Sequence, residues 1–184
     1  MKPIQVFAIL ALVIANMNFL TAKTAEEVRP LLIGAKVPSV EVANQQGEPV
    51  DLMEVLRGRS SVVIFYRGSW CPYCNTQLSE LASIEDDLIK RGYQIVAISP
   101  DKPESLDITD VKHNLGYQLL SDSEHMAMDA FGVSYENKKR GKLPVPSVFL
   151  VTPELEISFQ YVNPNYKYRI SSDLLLAAAS SKEH

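Results

Sequence analysis

Apolar positions in this chain gather into short continuous runs rather than one long repeat. Ser61-Val62-Val63-Ile64-Phe65-Tyr66 is almost wholly β-branched and aromatic, the mark of a strand buried on both faces. Residues 93–99 repeat that character, and residues 117–120 and 145–151 supply two further strands, the last with a proline at its mouth. Residues 156–161 pair back onto it after a turn at Thr152-Pro153. Elsewhere the period is helical. Leu78, Leu81, Ile84 and Leu88 share one face, with Glu85, Asp86, Asp87 and Lys90 outside, which predicts a single helix ended by Gly92. Residues 103–113 and 172–179 predict two more. Ser121-Asp122-Ser123-Glu124 has the form of a capping box opening a helix through Phe131. Upstream, residues 34–42 alternate toward a turn at Gln46-Gly47-Glu48-Pro49, which predicts a short hairpin, then a short helix from Asp51-Leu52 to near Gly58. Residues 23–30 read as a loose polar tether, 137–142 as a basic exposed loop and 163–169 as a further loop. Strands alternating with helices predict a parallel-rich sheet covered on both faces.

Composition adds a compartment. The 184 residues are 46% hydrophobic and 22% charged, enough for one globular domain with a sizeable core. Lys2, an apolar run over residues 4–15 and a small-residue end near Ala22 predict a secretory signal at 1–22, with an uncleaved membrane anchor as the alternative. The domain then occupies residues 31–184, exported to the periplasm or another extracytoplasmic space. Removing the leader takes one lysine and no acid, so the mature chain carries −5 rather than −4. That charge gives no reason to expect nucleic acid as a partner, or a membrane unless the leader stays attached.

The chemistry-bearing stretch is Phe65-Tyr66-Arg67-Gly68-Ser69-Trp70-Cys71-Pro72-Tyr73-Cys74, which runs from a strand into a helix start and holds both cysteines of the chain. Two cysteines make a poor disulfide framework for a domain this large and read better as a working pair. Pro72 suits the first helical position, where its missing N–H is not needed. Cys71 becomes the N-cap, facing unpaired backbone N–H groups and the positive end of the helix dipole, and Cys74 lies in the first turn. Cys71 is the predicted nucleophile. A structural zinc site would need further ligands, and His113, His125 and His184 offer no close pair, so no metal is expected.

These residues resemble the active site of the thioredoxin superfamily, and the fuller string resembles the peroxiredoxin-like redoxins of the AhpC/TSA group, over residues 31–179. The resemblance implies an α/β, thioredoxin-like fold: a central mixed sheet flanked by helices, with the redoxin N-terminal hairpin. It implies no organic cofactor. Val145-Pro146-Ser147 resembles the superfamily's cis-proline segment, which would leave the Val145 backbone exposed to pair with a partner chain. Trp70, Pro72, Tyr73 and Arg67 would complete the docking surface, with Trp70 over the cysteines. Laid over the peroxiredoxin motif Pro-x-x-x-Thr/Ser-x-x-Cys, Cys74 falls on the peroxidatic position, Cys71 on the Thr/Ser and Arg67 on the Pro, while Pro146 replaces the strand arginine. With that hydroxyl and that arginine out of place, the sequence favours thiol–disulfide exchange: Cys71 attacks a protein or small-molecule disulfide and Cys74 resolves it. A thiol-dependent peroxidase reducing peroxides is the alternative, and a partner-binding redoxin with a regulatory disulfide is a third. No carboxylate occupies the strand before the motif, where thioredoxins bury one.

Overall fold

The computed structural model describes residues 22–181, so the expected leader lies, Ala22 apart, outside the described residues. Nine strands and six helices follow in order. β1 (Glu41–Ala43) and β2 (Pro49–Asp51) form the expected N-terminal hairpin, and α1 (Leu52–Leu56) starts directly from it. Asp51 caps α1 by accepting from the Met53 N–H at 2.8 Å. Then come β3 (Ser60–Phe65), α2 (Pro72–Ser83), α3 (Glu85–Lys90), β4 (Tyr93–Ser99), α4 (Pro103–His113) and β5 (Gln118–Ser121). The chain ends with α5 (Met126–Ala130), β6 (Ser134–Asn137), β7 (Gly141–Pro144), β8 (Ser147–Val151), β9 (Ile157–Val162) and α6 (Ser172–Ser180).

Seven strands make one sheet in the order β2-β1-β5-β4-β3-β8-β9. Only β3–β4 and β4–β5 run parallel. The other neighbours are antiparallel, so the sheet is mixed rather than parallel-rich. The continuous apolar runs are explained by the pleat. Val62, Ile64 and Tyr66 of the central segment enter the core under α2, α3 and α6, while Val63 and Phe65 enter the opposite one with α1 and α5. In that second core Phe149 meets Phe65 and Phe131 edge to face at 6.2 and 5.3 Å, and Phe65 and Phe131 are tilted against each other at 5.0 Å.

Four expectations change. The helix after the cysteines breaks at Ile84, whose φ of −113° and ψ of 7° leave the helical range. Ser83 Oγ bonds back to the Glu80 carbonyl at 2.6 Å, and the three acids that follow sit at the N-terminus of a new helix. The capping box does not form. The Asp122 carboxylate instead accepts from the Ala127 and Met128 N–H groups at 2.9 and 2.8 Å, and α5 starts four residues later than expected. Residues 137–142 are the tip of a β6–β7 hairpin rather than a plain loop. Residues 23–30, expected as a loose tether, dock with their immediate neighbours beside that hairpin: Ala25 and Val28 pack on Tyr135, Leu143 and Val145, and the Arg29 and Leu31 N–H groups bond to the Gly132 and Phe131 carbonyls. Gly132 permits this approach, because a Cβ there would lie 2.0 Å from the Arg29 carbonyl oxygen.

Asp122→Ala removes both backbone acceptors at the start of α5. It is expected to cost about 1–2 kcal/mol, a fall of roughly 2–8 °C in the midpoint of thermal unfolding followed by circular dichroism.

Candidate active site

The C-terminal end of β3, the strand buried on both faces, delivers the cysteines to the start of α2. Tyr66 continues the strand direction, its N–H bonding to the Ile98 carbonyl at 3.0 Å. The chain then turns through Gly68, whose φ of +131° and lack of a Cβ both matter: a Cβ would lie 2.6 Å from Trp70 Nε1 and 2.7 Å from Asp101 Oδ1. Asp101, just beyond β4, accepts from the Ser69 N–H at 2.6 Å, and Asn75 Nδ2 donates to the Ser69 carbonyl at 3.0 Å. Together they clamp the loop. Cys71 is the N-cap and Pro72 opens the helix, as the sequence predicts, and the Cys71 carbonyl accepts from the Cys74 and Asn75 N–H groups at 3.0 Å.

Both cysteines are free thiols and both are buried, Cys71 at 1% exposure and Cys74 at 0%. The Cys74 thiol donates to Cys71, which is the main reason the Cys71 pKa is pulled down to about 6 against the opposing effect of burial. A backbone bond from Cys74 and the charges of Arg67 and Arg169 help. Cys74 moves the other way, pushed well up by that same hydrogen bond and then by burial. The two shifts run in opposite directions, so the first proton to leave the pair comes from Cys71 and Cys74 holds its own more tightly.

Two arginines stand over the pair. Arg67, expected on the docking surface, is only 7% exposed, and its guanidinium lies 5.1 Å from the Trp70 ring and 4.2 Å from the Tyr166 ring. Arg169 is the residue the sequence reading missed. Its Nη2 lies 3.5 Å from Cys74 Sγ, and its Nη1 donates to the Tyr166 carbonyl and, at 2.9 Å, to that of Tyr168. The sole signal was its place in the Tyr166-Lys167-Tyr168-Arg169 cluster; nothing local reveals that this loop folds back over a helix 95 residues upstream. Trp70 and Tyr73 form the rim, half-exposed at 37% and 41%, and Tyr73 meets Tyr166 edge to face at 5.7 Å.

Val145 and Pro146 are not where the resemblance put them. Among the described residues every peptide bond is trans, the Val145–Pro146 bond included. Val145 is fully buried, its N–H donates to the Val133 carbonyl at 2.8 Å, and its carbonyl accepts from Ser147 Oγ at 2.7 Å. The β6–β7 hairpin and residues 22–28 cover this position, so its backbone has no free group for a partner strand.

The AhpC/TSA family profile matches residues 33–160, from the N-terminal hairpin through β9. The chain belongs to the AhpC/TSA family. It is 36% identical over 113 residues to peroxiredoxin Bcp of Escherichia coli K12, covering 61% of this chain and 72% of that one. It is 33% identical over 110 residues to peroxiredoxin Bcp of Bacillus subtilis, with 60% and 69% covered. Among solved structures, peroxidoxin BcpB of Mycobacterium tuberculosis superposes with a TM-score of 0.71 at 19% identity, over 83% of this chain and 98% of that one. Reduced Prx3 of Vibrio vulnificus in complex with H2O2 gives 0.76 at 16%, over 81% and 99%. The fold is thereby that of the family, and the AhpC/TSA chain is an oxidoreductase with its thiols at the end of β3.

Alkylation of Cys71 by iodoacetamide is expected to rise as pH passes about 6 and to level off above neutrality, since only the thiolate reacts. Arg169→Met removes a cation that favours both thiolates. The midpoint should move to higher pH, and the rate near pH 6 should fall about twofold with little change well above it.

Proposed function

We propose that this chain is a thiol-dependent peroxidase in which Cys71 takes up the oxygen and Cys74 closes the disulfide. The observation that carries this reading is the closed backbone at Val145 together with two buried sulfurs. A bulky disulfide needs an exposed sulfur and a free edge to pair with, whereas a hydroperoxide needs only a narrow opening. The peroxiredoxin names of the relatives point the same way.

The Cys71 thiolate attacks the distal oxygen of R–O–O–H, the O–O bond breaks, and RO⁻ leaves to take a proton as ROH. Cys71 is then a sulfenic acid and no longer an anion. The Cys74 thiol loses the charge that held its proton, while Arg169 at 3.5 Å and a backbone hydrogen bond from Arg67 favour its ionised form. Its thiolate attacks the Cys71 sulfur and expels hydroxide, which becomes water. Two thiols and one hydroperoxide thus give one disulfide, one alcohol and one water. Arg169 supplies, from the loop after β9, the positive charge that the strand lacks at Pro146. An exported location, which the leader predicts, adds that the electron donor has to be present outside the cytoplasm.

Thiol–disulfide exchange is the second reading, favoured by the low pKa of Cys71 at a helix N-terminus with Cys74 behind it. Stopped-flow mixing of the reduced protein with hydrogen peroxide, and separately with a disulfide, separates the two. The native protein is expected to consume peroxide far faster than a free thiol of the same pKa. Cys71→Ser should abolish this, and Cys74→Ser should stop at a single turnover with a sulfenic acid on Cys71. Peroxide consumption that survives Cys71→Ser and is lost in Cys74→Ser would reverse the two roles. Fast exchange with the disulfide and sluggish reaction with peroxide would replace the first reading by the second.

A further inference from the structure

Beside the loop that carries Cys71 lies a cleft of about 320 Å³ whose lysines and Arg140 the peroxidase chemistry does not use. Its walls are Arg67 and Trp70 from the active-site loop, Asp101 after β4, and Lys139, Arg140 and Lys142 from the β6–β7 hairpin. Four cations therefore face one carboxylate, in a chain whose overall charge is −4. Lys142 is taken up by Asp129 at 2.8 Å, and Asp101 by the Ser69 N–H. Arg67, Lys139 and Arg140 are held by no ion pair among the described residues. Arg67 is the telling one. It is 93% buried, its Nε has no hydrogen-bond partner, and the Trp70 and Tyr166 rings flank its guanidinium. In the reduced protein the Cys71 thiolate balances it; once Cys71 and Cys74 are joined as a disulfide that anion is gone, and the buried cation is left for an anion that arrives. Arg140 stacks on the Trp70 ring itself, its guanidinium 3.7 Å from the centroid, which ties the hairpin tip to the loop carrying Cys71.

We infer that this cleft holds the carboxylate of a small anionic thiol, the electron donor that reopens the Cys71–Cys74 disulfide. The donor is small because the hairpin that brings Lys139 and Arg140 to the cleft also covers the Val145 edge against a partner strand. It is the thiol rather than the oxidant because hydrogen peroxide has no substituent to hold. With its carboxylate between Arg67 and the hairpin tip, the donor thiolate attacks the Cys71 sulfur. A mixed disulfide forms and Cys74 leaves as a thiolate, then takes a proton. A second donor thiolate attacks the donor sulfur of the mixed disulfide and releases the Cys71 thiolate. Two thiols are oxidised to one disulfide and the protein pair is reduced. The inference rests on the peroxidase reading only in that the oxidised pair needs a donor.

The test starts from the disulfide form and needs no peroxide. Trp70, the only tryptophan of the chain, reports reduction by its fluorescence. Rates are compared, per thiolate present, for 3-mercaptopropionate and the uncharged 2-mercaptoethanol. Mercaptopropionate is expected to react about tenfold faster at low ionic strength. That ratio should fall toward one in roughly 0.5 M salt, and in a variant carrying Lys139→Glu and Arg140→Glu. A ratio of one in the native protein at low salt, or a ratio that survives both salt and charge reversal, overturns the inference. The salt arm uses the native chain, so misfolding of the variant leaves the test intact. A carboxylate preference confined to hydroperoxides, absent among thiols, would overturn the assignment to the donor. If peroxide is not consumed but the thiol ratio holds, the peroxidase reading falls and the anion cleft stands.

Discussion

The placing of Cys71 and Cys74 in one helical turn governs the whole site, and nearly every other feature holds that pair in a dry place. One sulfur becomes a thiolate near neutral pH because the other keeps its proton. The arrangement requires both side chains to leave the same first turn of α2, which follows from Pro72 opening that helix. It also requires a rigid base. β3 supplies this, since both its faces are buried and its C-terminal end cannot shift without disturbing two cores. Gly68, Asp101 and Asn75 then fix the short loop between strand and helix.

Charge around this pair comes from far away in the chain. Arg67 precedes the cysteines, Arg169 follows β9, and Lys139 and Arg140 lie on the hairpin between α5 and β8. Tyr166 links the first two by lying under Arg67 while its carbonyl accepts from Arg169. The site thus gathers cations over two buried sulfurs in a chain that is acidic overall. Such local inversion of charge raises the share of thiolate and draws anions to one cleft.

The β6–β7 hairpin and residues 22–31 act as an added layer over the common fold. They bury Val145 and use its backbone groups internally. A thioredoxin-like surface for protein docking is thereby converted into a closed edge beside a polar cleft. This one packing choice is what favours the proposed reaction with small molecules over exchange with a protein disulfide.

Local pattern alone determined most elements of the fold: β4 and α4 coincide with their predicted spans, and the N-terminal hairpin, the last two sheet strands and the C-terminal helix lie where expected. Alternation, helical spacing and turn residues act over a few neighbours, so they are legible without a partner. The cysteine pair was legible for the same reason, since N-cap, proline and first turn span four residues. Contacts across the chain were not. The break at Ile84, the Asp122 cap, the hairpin at 137–142 and the docking of residues 22–31 depend on which side chains or backbone groups meet. Arg169 reaches Cys74, and Val145 loses its free edge, only because distant segments fold over the same end of the sheet. A sequence states which groups a segment carries. Which sulfur those groups face, and which edge they close, is decided by packing.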